Sequence, residues 1–210
     1  MDKQKITYSY LKKLLPENHL NYFVDIGAHN GVSISNSFPF IKKGWDCVSI
    51  EPNPYIFKDL EENLKKYNDK VILIKKAVSN FNGITKFYFD RRGFLKDRKK
   101  GGKADKKKGM RSTIQPDLFK EMSEEFIMVE VDTITSILDS VNAPTEISIM
   151  SIDTEGMDYE VLEGLDSKYK IHIIITEDYS KTKDIKYKLL ESKGYKHINQ
   201  EGINSVWILN

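Results

Sequence analysis

Short apolar runs alternate along this chain with stretches whose apolar residues recur at helical spacing. The runs are Tyr22-Phe-Val-Asp-Ile26, Trp45-Asp-Cys-Val-Ser-Ile-Glu51, Val71-Ile-Leu-Ile74, Ile147-Ser-Ile-Met-Ser-Ile-Asp153 and Ile171-His-Ile-Ile-Ile-Thr-Glu177, each suited to a buried strand. Helical spacing predicts helices over 7–15, from Gly31 to about 43, 54–67, 133–141, 157–165 and between Asp178 and Lys193. Asn53 followed by Pro54 opens one of them, since an Asn side chain caps free N–H groups and proline needs no donor there. Strand and helix in turn predict a parallel sheet. Further strands are expected at Phe126–Val131 and, after an Asn82-Gly83 turn, within 81–90 as an added hairpin, with a short helix around 116–122. Tyr195–Asn199 and Ser205–Leu209 flank a turn at Gly202, so the last strand should run antiparallel.

A length of 210 residues suits one domain covering 1–210. The net charge is +2, but residues 91–111 alone carry +9, leaving −7 for the remainder. This Lys- and Arg-rich stretch predicts a mobile loop that is either a solvated excursion or a means of attracting an anionic acceptor. Phe94 is its only aromatic residue, which argues against a base-stacking platform for nucleic acid. Cys47 is the single cysteine, so no internal disulfide or thiolate metal cluster forms. With no apolar signal core and no run of membrane-spanning length, a soluble cytoplasmic domain is expected. Nothing in the sequence sets the oligomeric state.

The candidate chemistry begins where the first run ends, at Asp25-Ile-Gly27-Ala-His-Asn-Gly31. Two glycines let a backbone turn sharply and approach a ligand, and a helix opening there would present N–H groups. Glu51, closing the second run, can accept hydrogen bonds from both hydroxyls of a ribose. The turn matches neither the dinucleotide pattern nor the phosphate loop, and an acid at Asp25 suits an amine better than a phosphate. S-adenosylmethionine has a ribose, an ammonium and a sulfonium, and fits; the same residues would also serve a plain strand-to-helix turn. Ala77 and Ser79, leaving the third strand at the same edge, are small enough for an adenine to lie against; the same residues would also make an ordinary turn after a strand. Asp153 and Glu155 follow the fourth run, and Glu177 ends the fifth. Such acids hold a hydroxyl, take its proton, or bind a hard cation, or instead favour the start of the next helix. His172 is expected to fill the core.

Three segments together resemble the FkbM-type S-adenosylmethionine-dependent methyltransferases. Val24-Asp-Ile-Gly-Ala-His-Asn-Gly31 resembles the family's V-D-I-G-A-N-x-G, Ser49-Ile-Glu-Pro-Asn-Pro54 its E-P-N-P, and Ser151-Ile-Asp-Thr-Glu-Gly156 its I-D-x-E-G. The resemblance spans roughly residues 20–210, the basic stretch excepted. It implies an α/β, Rossmann-like class I methyltransferase fold: a mostly parallel central sheet with helices on both faces and an antiparallel last strand. It also implies cofactor binding by Asp25, Gly27, Ala28, Asn30, Gly31, Glu51, Pro52, Asn53, Ala77 and Val78. Asp153 and Glu155 would lie by the transferred methyl, and His29, where the family has Asn, would touch the cofactor or act as a base. Asp153, Glu155 and Glu177 are candidate ligands for a divalent cation. The activity implied is methyl transfer to a hydroxyl, often of a sugar in a glycan or natural product. A nucleic-acid methyltransferase using the basic stretch and a catalytically silent cofactor-binding domain are the alternatives.

Overall fold

A computed structural model describes residues 5–90, 112–118, 122–178 and 181–210. A seven-stranded sheet runs through it in the order β3-β2-β1-β7-β8-β10-β9. Its strands are β1 (Tyr22–Ile26), β2 (Asp46–Ile50), β3 (Val71–Ile74), β7 (Glu146–Ile152), β8 (Lys170–Glu177), β9 (Tyr195–Glu201) and β10 (Asn204–Leu209). The first five pair in parallel, with Val24 beside Val48 and Met150. β10 is antiparallel to both β8 and β9. It reaches its place by the tight hairpin expected at Gly202, whose φ of +62° suits glycine.

Alternation along the strands divides the core between the two faces. Val24 and Ile26 face one layer, which holds α4 (Ile134–Ser140), α5 (Asp158–Glu163) and α6 (Lys183–Ser192). Phe23 faces the other, which holds α1 (Tyr8–Leu14), α2 (Phe38–Ile41) and α3 (Pro54–Leu64). In α3 the buried residues Ile56, Phe57, Leu60 and Leu64 recur at helical spacing, and the Asn53 side chain caps its first turn by accepting from the Tyr55 amide at 3.0 Å. Cys47 is buried within β2. His172 is half-buried on β8, 3.9 Å from Glu146.

Three expectations need correction. The helix predicted from Gly31 to about 43 is only the four residues of α2. Serine and asparagine side chains compete for the backbone in 32–37: Asn30 Oδ1 accepts from the Val32 and Ser33 amides, and the Ser35 hydroxyl from the Phe38 amide. Ile34, at a φ of +59°, breaks the helical path. Of the helix expected around 116–122, the described residues Pro116–Leu118 form a 3-10 turn, and Met122 already belongs to β6 (Met122–Thr133). Nor does the added hairpin stand alone. β5 (Gly83–Asp90) pairs antiparallel with β6, and β4 (Ala77–Ser79) pairs parallel with it, making a second sheet of order β4-β6-β5. The basic stretch 91–111 lies outside the described residues. No helix among the described residues is long and apolar enough to cross a membrane.

Candidate functional site

Parallel strands present their C-terminal ends at one edge, and the crevice there is where open α/β sheets take ligands. The ends of β1, β2, β7 and β8 line a cleft of about 1160 Å³, whose further wall comes from Lys76, Ala77, Val78, Phe87 and Thr113. Thr113 is fixed there by paired backbone hydrogen bonds with Tyr88.

The glycine turn is set by the protein itself. The Gly27 and Ala28 amides both donate to the Ile50 carbonyl at 2.9 Å, and the Gly31 amide donates to Ala28 at 2.9 Å. Gly27 has a φ of +81°, and a Cβ there would stand 1.8 Å from the Asp153 carbonyl oxygen. Glycine at 27 is therefore required for the first turn to pack against the exit of β7. Gly31, at a φ of +73°, is crowded by Leu60 and Leu64 of α3. Neither Gly31 nor Asn53 lines the cleft: Gly31 makes room for α3, and the Asn53 side chain caps it. The other candidates, Asp25, Gly27, Ala28, His29, Asn30, Glu51, Pro52, Ala77, Val78, Asp153, Glu155 and Glu177, are brought together on its walls.

Glu51 is buried just past β2, and its carboxylate accepts from the His29 amide at 3.0 Å and the Asn53 amide at 2.9 Å. Burial raises its pKa to about 7, against the lowering effect of those two bonds. Asp25, next to last in β1, is 4% exposed; burial raises it to about 6, and the Ser37 hydroxyl that donates to it works the other way. Asn36 donates to Ser151 at 3.0 Å, so the irregular 32–37 segment is tied to both β1 and β7. His29 has a left-handed backbone, φ +49°, and burial lowers its pKa against the raising effect of Asn30 and Asp59.

On the other side of β1, Ile152 is in register with Thr176, so the next residues, Asp153 and Glu177, emerge side by side. Carboxylate oxygens of Asp153, Glu155 and Glu177 lie within 4.8 Å of one another. Asp153 opens onto the cleft by surface area yet is walled by protein. That desolvation, and then the charges of Glu177, Glu155 and Asp158, push its pKa well up. Neither Asp153 nor Glu155 caps the next helix; Asp158, in the first turn of α5, is the acid nearest that end.

Sequence reasoning passed over Asp158, Asp178 and Lys186, which form a buried ion network behind these acids. Burial pushes Asp178 up, but hydrogen bonds from Ser205 and Tyr187 and the Lys186 charge outweigh it and leave it below the usual carboxylate range. One signal was available: Lys186 stands one helical turn before Leu190, on the buried face of α6.

The sheet order, the antiparallel last strand and the acid-lined crevice at the strand ends define a class I, S-adenosylmethionine-dependent methyltransferase domain. Residues 25–197 match the Methyltransferase FkbM domain, and the chain belongs to that family. It is similar in structure to the methyltransferase FkbM from Methylobacillus flagellatus KT, with a TM-score of 0.57 and 16% identity over 90% of this chain. The match spans 43% of that protein's length. The precorrin-6y C5,15-methyltransferase from Geobacter metallireducens GS-15 has a TM-score of 0.48 at 15% identity, covering 98% of this chain and 89% of its own. TrmK of M. capricolum, solved with S-adenosylhomocysteine, has a TM-score of 0.44 at 12% identity, covering 97% and 68%. No curated protein matches the sequence.

Proposed function

We propose that the cleft holds S-adenosylmethionine with its ribose on Glu51, and that the methyl passes to a hydroxyl of a sugar in a glycan or glycosylated metabolite. The walls suit the cofactor: a buried acid for the ribose, a second at Asp25 for the ammonium, and Ala77, Val78 and Phe87 for a flat ring. The cofactor supplies an activated sulfonium methyl. The chain must orient the acceptor oxygen in line and take its proton.

The observation that carries this reading is the gathering of Asp153, Glu155 and Glu177 on the far side of β1 from Glu51. A carboxylate there accepts the hydroxyl proton as the methyl's C–S bond breaks and the new C–O bond forms, with the neutral thioether S-adenosylhomocysteine as the leaving group. His29, whose amide is bonded to Glu51, favours a cofactor contact over the base role. Among the described residues lining the cleft the only lysine is Lys76, which is paired with Asp132 at 2.6 Å and Glu130 at 3.2 Å. The three carboxylates gathered at the reacting end suit an uncharged polyol there better than an anion. A second reading, in which the three carboxylates bind a divalent cation that acidifies the hydroxyl, draws on the same 4.8 Å cluster. It requires that activity vanish on chelation and return with the metal. A reducing cytoplasm suits the lone buried Cys47.

The test is incubation with methyl-labelled donor and separated carbohydrate, lipid and nucleic-acid pools. Label is expected in carbohydrate as an alkali-stable methyl ether. Label confined to nucleic acid, or absent from every pool, would overturn the proposal.

A further inference from the structure

Lys186 and Asp158 lie outside the cleft wall, yet they grip the backbone that carries its acids. Lys186 is fully buried, at 0% exposure, and its ammonium donates to the Glu177 carbonyl. It also lies 3.1 Å from Asp178 and 3.8 Å from Asp158. Asp158, 2% exposed, accepts from the Glu177 amide at 2.8 Å and from the Thr154 hydroxyl at 2.7 Å. The amide and the carbonyl of Glu177 are thus each held by one member of the pair. Thr154, the residue between Asp153 and Glu155, is held by the same carboxylate.

A buried ion pair is a costly way to obtain stability alone, since apolar residues of similar volume often serve as well. Its particular contribution here is geometric, because it ties two neighbouring strand exits to two helices, through Asp158 on α5 and Lys186 on α6. Resting on the methyl-transfer reading above, we propose that Lys186 and Asp158 are positioning residues. They fix the spacing of Asp153, Glu155 and Glu177 around the point where the donor's sulfonium meets the acceptor. The alternative, a long-range effect of the Lys186 charge, has the opposite sign: removing that charge would make the cleft more negative and tighten a cationic ligand.

Calorimetry with two cofactor analogues separates these roles. Sinefungin carries an amine where the transferred methyl would be, and S-adenosylhomocysteine is neutral at that atom. In Lys186→Met, sinefungin should bind about tenfold or more weakly, the size of one lost charge-assisted hydrogen bond, with S-adenosylhomocysteine within about twofold of wild type. Thr154→Val, which removes the hydroxyl bond from the acidic turn to Asp158, leaving only the longer one from the Thr154 amide at 3.4 Å, and keeps the buried charges paired, should give the same pattern in weaker form. It decides the matter alone if Lys186→Met does not fold. Unchanged affinities, equal weakening of both ligands, or tighter sinefungin binding in a folded variant would each overturn the proposal. A wild type that binds neither analogue would remove the methyl-transfer reading itself, and this inference with it.

Discussion

Replacing Glu51 with alanine is expected to weaken cofactor binding by about 2 to 4 kcal/mol, or roughly 30- to 1000-fold in Kd. Each oxygen of the Glu51 carboxylate already accepts one backbone donor, from His29 at 3.0 Å or Asn53 at 2.9 Å. Each keeps a further acceptor direction for a ribose hydroxyl, and Ala removes both. Burial holds the pKa at about 7 in the ligand-free protein, and the ionised carboxylate is the stronger acceptor. Wild-type affinity should therefore rise about tenfold from pH 6 to pH 8 as the carboxyl loses its proton. In Glu51→Ala that slope should largely flatten, with only the smaller contribution of Asp25 left near pH 6. Ligand-free stability runs the other way. A carboxyl whose folded pKa lies above its unfolded value contributes stability below the unfolded pKa, and that contribution is lost as pH rises through the folded one. For Glu51 the loss is expected between 4.5 and about 7 and is at most roughly 3 kcal/mol. Titration calorimetry with S-adenosylhomocysteine at pH 6, 7 and 8 measures the binding terms, with a melting curve to confirm that the variant folds. A folded Glu51→Ala that binds within about twofold of wild type at pH 8 would remove Glu51 from the binding site.

Gly27→Ala should lower stability by about 2 to 5 kcal/mol in thermal denaturation, combining a left-handed backbone with overlap against the Asp153 carbonyl; a melt within a degree of wild type would show that the β1 and β7 exits do not meet. Asp153→Asn and Glu155→Gln should leave S-adenosylhomocysteine affinity within about threefold while lowering turnover on the labelled carbohydrate pool about a hundredfold or more, the scale of a lost proton acceptor. Full turnover in both variants would take these acids out of the chemistry.

The parallel strands and the acids at their ends were legible in the sequence because a buried strand leaves an apolar run, and Glu51, Asp153 and Glu177 each end one. Gly27 stood out as well, but the need for glycine there comes from the Asp153 carbonyl. That contact joins residues far apart in the chain, and no local pattern encodes it. The stretch after Gly31 has apolar residues at helical spacing, but periodicity takes no account of the hydrogen bonds by which Asn30 and Ser35 hold the backbone in turns. Two strands of the small sheet were visible, within 81–90 and at Phe126–Val131, but Ala77–Ser79 reads as the exit of the third strand, because its pairing as β4 with β6 depends on partners distant in sequence. Lys186 stayed hidden because a lysine on an amphipathic helix ordinarily reaches solvent. Only the fold puts Asp158, Asp178 and the Glu177 carbonyl around its ammonium.

A crystal structure of the protein with S-adenosylhomocysteine would show directly whether Glu51 holds the ribose and the three carboxylates face the sulfur. Both ribose hydroxyls are expected within hydrogen-bond distance of Glu51, the adenine against Ala77 and Val78, and the sulfur directed toward Asp153 and Glu177. A ligand seated elsewhere, or one whose sulfur faces away from those two carboxylates, would contradict this placement.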